Sequence, residues 1–120
     1  MRVIYGLGRA IVGGFFLYNG INHFANGEGM KGYAAAKGFR DPDMSVKASG
    51  ALLTLAGASL LLGIKPRLGA LGAVGFLATA SLFFHDYWNV QDPQQRQMEL
   101  IQFSKNMALA GAATAILGAE

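Results

Sequence analysis

A chain of 120 residues, 52% of them hydrophobic and only 14% charged, makes one domain and carries well under the charged share of about 25% usual in soluble domains. Its formal net charge of +3 is spread over loops and helix ends, which suits anionic lipid headgroups and argues against nucleic acid as a partner. Cysteine is absent from the sequence, which excludes disulfides, thiol redox chemistry and thiolate metal sites.

Four stretches are almost free of charge: residues 10–27, 48–64, 68–84 and 106–119. A bilayer core about 30 Å thick needs roughly 20 mostly apolar helical residues, and each stretch reaches or approaches that length with its flanking turn. A soluble amphipathic helix would place charge on the face that meets water, which these stretches do not. The mean hydropathy of +0.33 is held down by 17 glycines, a residue that scores as neutral yet is frequent in transmembrane helices. The first stretch is too long for the apolar region of a cleavable signal and lacks a small-residue cleavage site after it, so it is read as a span.

Helix 1 is read over about residues 3–24. Gly6, Gly13 and Gly20 recur along it every seven residues, and its C-terminal end carries Asn19, Asn22 and His23 at i, i+3, i+4 on one face. Arg9 lies about 21 Å from His23 along the helix. It belongs to the opposite leaflet, where it is expected to snorkel to the headgroups. The connection that follows contains Met30-Lys31-Gly32-Tyr33-Ala34-Ala35-Ala36-Lys37 and then Gly38. That segment is too short to span. It reads as a short interfacial helix on the membrane surface stopped by Gly38 as its C′ residue, or as a solvated loop.

All three prolines mark helix starts, at Asp41-Pro42, Lys65-Pro66 and Asp92-Pro93; at the first helical position the missing N–H of proline costs nothing. Asp41 and Asp92 are good N-caps, and Asp92-x-x-Gln95 has capping-box spacing. Helix 2 is read over about residues 42–62. A tight turn at Gly63-Ile64-Lys65-Pro66 makes an antiparallel hairpin with helix 3, over about 66–87, which carries Gly69, Gly72 and Gly75 and ends in His85-Asp86-Tyr87-Trp88-Asn89. Helix 4, over about 93–117, carries Gln95, Glu99, Gln102 and Asn106 in steps of four, three and four, with Lys105 beside them and Ala108, Gly111, Ala112 and Ala115 further on. Small residues allow helix backbones to approach closely in lipid, within one bundle or against a partner subunit. The expected fold is therefore an all-α, antiparallel, integral-membrane four-helix bundle in a single domain. A short interfacial helix is expected between helices 1 and 2. Four crossings put both termini on one side. Lys and Arg are divided between the two sides, and the cytoplasmic side is assigned to the termini.

Alternating helix direction brings the ends of helices 1 and 3 and the start of helix 4 to one leaflet. The candidate polar pocket there comprises Asn19, Asn22, His23, His85, Asp86, Trp88, Gln102, Lys105 and Asn106. Ionisable residues inside a membrane are costly and mark function by default. The competing reading makes Tyr18, Tyr87 and Trp88 an interfacial belt, Lys105 a snorkelling side chain and His85-Asp86 a helix end. Substitution of His85 or Lys105 is expected to do more damage than substitution of Arg9. No carboxylate is clearly placed as a third ligand beside the two histidines, so no metal site is expected. No catalytic residue is assigned. The sequence shows no phosphate-binding loop, dinucleotide fingerprint or nucleophile elbow, and no intrinsic cofactor is expected.

Three stretches carry a family resemblance: Gly8-Arg9 through Tyr18-Asn19-Gly20-Ile21-Asn22-His23, the hairpin Gly63-Ile64-Lys65-Pro66-Arg67, and Phe83-Phe84-His85-Asp86-Tyr87-Trp88 running on to Phe103-Ser104-Lys105-Asn106-Met107-Ala108-Leu109. With these the chain resembles the DoxX family of small, four-span bacterial inner-membrane proteins. Some members are associated with thiosulfate:quinone oxidation and others with oxidoreductase or redox-stress complexes. The resemblance implies a multi-pass protein of the bacterial inner (cytoplasmic) membrane. It would be a subunit of a membrane oxidoreductase complex, not catalytic alone, with quinone as the ligand of the polar pocket. Partners would be membrane or peripheral redox subunits, or further copies of the chain. The alternative is a structural or assembly scaffold that recruits a partner through its Gly-rich helix faces. A shared fold does not choose between them.

Overall fold

The structure is a computed structural model and describes residues 2–119. Five α-helices follow one another: α1 (Arg2–Ala25), α2 (Gly27–Ala36), α3 (Pro42–Leu62), α4 (Pro66–Phe84) and α5 (Pro93–Gly118). A single 3-10 turn, Tyr87–Asn89, stands between α4 and α5, and no strand occurs among the described residues. Each proline opens its helix. Asp41 accepts from Met44 N at 3.1 Å, and Asp92 from Gln95 N at 2.9 Å, so both N-caps satisfy a donor that the first turn cannot pair. Gly38 (φ 88°) and Gly63 (φ 75°) end α2 and α3 in the left-handed region, which costs glycine no Cβ clash. Helix 3 of the sequence reading stops three residues early, at Phe84, and its polar tail forms the 3-10 turn instead.

The tightest packing joins α1 and α3 through two glycines on each. A methyl group at Gly13 would lie 2.8 Å from the Leu60 carbonyl carbon and 2.9 Å from Gly57 O. One at Gly57 would lie 2.6 Å from Leu17 Cα, one at Gly20 2.8 Å from Thr54 Cα, and one at Gly50 2.8 Å from His23 Cβ. Partner numbers rise on one helix as they fall on the other, so the pair is antiparallel, and seven-residue spacing on both sides keeps the glycines in register. Backbone-to-backbone contact of this kind supplies dispersion attraction where the hydrophobic effect offers little. At the α3–α4 hairpin, Ser59 Oγ donates to Ile64 O at 2.6 Å and lies 3.0 Å from Lys65 O, and Gly69 passes against Ser59 and Ala56.

Around these pairs Phe16, Leu53, Leu60, Ala70, Ala73, Leu77, Ala113 and Ile116 form one buried cluster drawn from all four long helices. Closure is uneven. α1 packs on α3, α3 on α4 and α4 on α5, whereas α1 and α5 meet sparsely, and the molecule is flattened to 45 × 28 × 18 Å. The expected small-residue faces are correspondingly only partly used. Gly13, Gly20, Gly69 and Gly72 have close neighbours, while Gly6, Gly75 and Gly111 have open space beside them. α5 turns Ala113 and Ile116 inward instead of Ala108, Gly111 and Ala115.

Two helical segments among the described residues are long and apolar enough to cross a membrane, Pro42–Leu62 and Pro66–Asn89, each only 33% buried. α1 is diluted by its glycines, Arg9 and the Asn19–His23 face, and α5 by Arg96, Glu99, Lys105 and a run of glutamines. Even so, Ile4, Leu7 and Ile11 on α1 and Met98 and Ile101 on α5 are more than half exposed.

Candidate ligand cavity at the histidine end

Both α1 and α4 finish at the end of the molecule where α2 lies and where α3 and α5 begin. A cavity of about 370 Å³ opens there, lined by side chains from α1 to α4 and by the Phe39 connection. Its walls are mostly apolar: Met30 and Ala34 of α2, Val46 of α3, Phe76, Ala80 and Phe84 of α4, and Phe39. Polar groups reach it from His23, His85, Tyr33, Ser45 and Ser49. The volume and the few polar groups in an apolar lining match a small-molecule site.

The histidines are held differently. His23 Nδ1 lies 2.7 Å from the carbonyl of Asn19 one turn back; a carbonyl only accepts, so Nδ1 is the donor and Nε2 is the nitrogen left for another partner. Its ring meets Phe76 edge-on, with centroids 6.0 Å apart. His85 Nδ1 is buried and has no hydrogen-bond partner. Glu99 Oε2 lies 3.5 Å away, close enough for charge attraction to a protonated ring but outside hydrogen-bond geometry. Glu99 instead receives the Tyr33 hydroxyl at 3.0 Å, and the same hydroxyl lies 2.7 Å from Phe84 O.

The short helix α2 forms one wall and is tied down by side chains one turn apart. Tyr33 stacks on Phe84, with centroids 5.5 Å apart. Lys37 Nζ pairs with Asp86 Oδ1 at 2.8 Å, and Asn89 Nδ2 holds the other carboxylate oxygen at 3.0 Å. Burial, and then Glu99, push the Tyr33 hydroxyl up to about 12 from its ordinary 10.0. A second hollow of about 480 Å³ shares His23, Gly29 and Val46 with the first. Its rim carries the ion pairs of Lys31 with Glu28 (3.2 Å) and Asp43 (3.6 Å), and of Lys47 with Asp43 (3.1 Å).

Of the nine residues of the expected pocket, two, His23 and His85, line this cavity. Asn19 fixes His23 through its carbonyl, and its own amide donates to Phe15 O at 2.9 Å. Asn22 is taken by the side chain of Asn26. Asp86 clamps α2 from outside. Trp88 packs edge-on against Tyr87 and Phe103 and is 47% exposed, because the 3-10 turn carries it away from the α4 axis. Gln102, Lys105 and Asn106 lie further along α5, which does not line the cavity; Asn106 is buried and Lys105 is exposed. Tyr33, Lys37 and Phe39 were missed, although Tyr33 and Lys37 stand at i, i+4 in a segment already read as a helix. Among the described residues no group of three or more His, Cys, Asp or Glu is placed to hold a metal ion.

An all-helical chain with two membrane-capable segments and widely exposed apolar side chains is a membrane protein in its architecture. The family model DoxX matches residues 5–86, from α1 through the His85-Asp86 signature, and the chain belongs to the DoxX family. No curated protein and no solved structure gives a significant match.

Proposed function

We propose that this chain is a quinone-contacting subunit of a membrane oxidoreductase complex in the bacterial cytoplasmic membrane, not catalytic alone. In this reading α1, α3, α4 and α5 cross the bilayer, α2 lies at its surface, and both termini face the cytoplasm. The observation that carries the ligand assignment is the pair of histidines, His23 and His85, in the wall of an otherwise mostly apolar cavity. A few polar groups in an apolar lining orient a small ligand, and the oxygens of a quinone or quinol headgroup would pair with the imidazoles there. His23 Nε2, with Nδ1 engaged by Asn19 O, would meet a headgroup oxygen, and Phe76 and Phe84 offer ring faces. A bound quinone would supply the electron and proton capacity that the side chains lack, with the electron donor on a partner subunit.

Titration of the purified full-length protein with a short-chain quinone tests this. His85→Leu and His23→Leu should each weaken binding about tenfold, the loss expected for one buried hydrogen bond, with the fold retained. Absence of binding, or binding by both variants as tight as by the parent protein, would sink the quinone assignment. A scaffold role is the second reading, favoured by the open space beside Gly6 and Gly75. A stable stoichiometric complex whose turnover is unchanged by His85→Leu would decide for it.

A further inference from the structure

The two cavity histidines are both engaged through Nδ1, by different groups. His23 Nδ1 donates to Asn19 O at 2.7 Å, on its own helix. His85 turns Nδ1 toward the Glu99 carboxylate, with Oε2 3.5 Å away on α5. A carbonyl and a carboxylate each draw the ring proton to the nitrogen that faces them, and this fixes the tautomer of a neutral imidazole. Nε2 is then the nitrogen left for a ligand, and on a neutral ring it is an acceptor. Both rings line one cavity of about 370 Å³, so one small ligand can meet both.

The cavity's other protons are largely committed. The Tyr33 hydroxyl is directed to Phe84 O and Glu99, and Ser49 Oγ donates to Ser45 O. The Ser45 hydroxyl can turn to donate or accept. A lining of two acceptors with few free donors suits a ligand that brings its own donors. A quinol has two hydroxyls to offer, whereas the corresponding quinone sets carbonyl oxygens against acceptors and leaves them unpaired. We propose that the cavity discriminates between the redox forms of its ligand, holding the quinol in preference to the quinone while both imidazoles are neutral. This rests on the quinone reading above and adds which form the site favours. Protonation would place a second proton on Nε2 and turn each acceptor into a donor, so the preference inverts in acid. The charged groups around His23 are Glu28 and Lys31 of α2 and Asp43 and Lys47 of α3, which line the adjoining hollow with it. Those acting on His85 are Glu99 and Lys105 of α5 and Lys37 of α2, with Asp86 next to it in the chain.

Anaerobic titration of the full-length protein with tetramethyl-hydroquinone and tetramethyl-quinone reads the discrimination. At mildly alkaline pH the hydroquinone should bind about tenfold more tightly, the worth of one net hydrogen bond. The midpoint potential of the bound couple should then stand about 30 mV above that of the free couple, since tenfold is about 30 mV for two electrons. Glu99→Leu releases the His85 proton to either nitrogen and should cut the ratio roughly threefold. Tyr33→Phe also loosens α2 but leaves Glu99 facing His85, and should keep the ratio of the parent protein. Acid should shrink and then invert the ratio. Equal affinity for the two forms, or a ratio that neither acid nor Glu99→Leu alters, would overturn the proposal and leave the quinone assignment standing. Resorcinol, a diol that forms no simple quinone, separates the two readings from the other side. Resorcinol binding that exceeds that of its dimethyl ether, with neither tetramethyl compound bound, would support the paired acceptors and sink the quinone assignment alone. Binding of neither the hydroquinone nor resorcinol would overturn both.

Discussion

The Tyr33 hydroxyl meets Glu99 Oε2 at 3.0 Å, joining the short helix α2 to α5 across 66 positions of sequence. Phe84 O, 2.7 Å from the same hydroxyl, draws in the end of α4. One side chain thus connects three helices around the cavity, and Lys37, one turn on, repeats the attachment through Asp86. α2 has no long apolar face of its own, and Ala34 is its one buried residue. Its position depends on these polar ties and on Tyr33 stacking against Phe84.

Removing the hydroxyl should therefore loosen α2 and little else. Tyr33→Phe keeps the ring stack and loses a hydrogen bond of roughly 1 kcal/mol. Amide exchange in Gly27–Ala36 should quicken about fivefold, with exchange in α1 and α3 unchanged. Equal acceleration across all helices would show that α2 is integral to the core and not a separately tied wall.

The raised Tyr33 pKa makes a pH-dependent prediction whose sign is fixed by linkage. Because the folded state holds this proton more tightly than the ordinary value of 10.0 allows, the stability it contributes is fully present below about pH 10. It fades as pH rises through about 12. Of the four tyrosines, Tyr33 should ionise late in an alkaline absorbance titration, and Tyr33→Phe should remove that late phase. Glu99→Gln should move the phase to lower pH without abolishing it, since burial is the larger cause. A titration in which Tyr33→Phe removes an ordinary phase near pH 10 would contradict the burial.

The helix starts were legible because their cause is local: proline at the first helical position and an aspartate cap next to it. So was the family, through the His85-Asp86 signature. The division of the polar residues was not. His85 and Asp86 are adjacent in sequence, but the chain leaves α4 between Phe84 and the 3-10 turn, so one faces the cavity and the other the Lys37 clamp. Gln102, Lys105 and Asn106 follow helical spacing from Glu99, yet periodicity gives only a face and not the neighbour it meets. The sparse α1–α5 seam left that face outside the cavity. The α1–α3 contact was half visible: Gly13 and Gly20 were read as a stripe, but their counterparts Gly50 and Gly57 were not paired with them.

That contact predicts a clear contrast among glycines. Gly13→Ala or Gly57→Ala places a methyl group against backbone, which cannot turn aside as a side chain can, and should cost about 1–3 kcal/mol. Gly75→Ala, in open space on α4, should be neutral or stabilising by up to about 1 kcal/mol through helix propensity. Thermal unfolding of the three variants in one detergent gives the comparison, and equal midpoints would refute the close pairing of α1 and α3.

Arg9 reverses an expectation drawn from sequence. It lies at the end of the molecule opposite the histidines, as its spacing requires, but it does more than reach for water. Arg9 Nε donates to Leu60 O at 2.8 Å, satisfying one of the carbonyls that the last turn of α3 leaves without an intrahelical donor. The guanidinium lies against Gly63, where an added Cβ would come within 2.9 Å of it, and 5.8 Å from the Tyr5 ring centre. A cation at a helix C-terminus also opposes the negative end of the helix dipole. Arg9→Gln should therefore cost about 1–2 kcal/mol, more than Lys105→Met, whose side chain is exposed and unpaired. Arg9→Lys keeps the charge but not the planar fork, and should recover only part of the loss. Gly63→Ala strains a left-handed residue and displaces the guanidinium, so its effect should shrink when Arg9 is already gone. In unfolding measurements on the two single variants and the double variant, additive losses would show that Arg9 and the α3 terminus act independently.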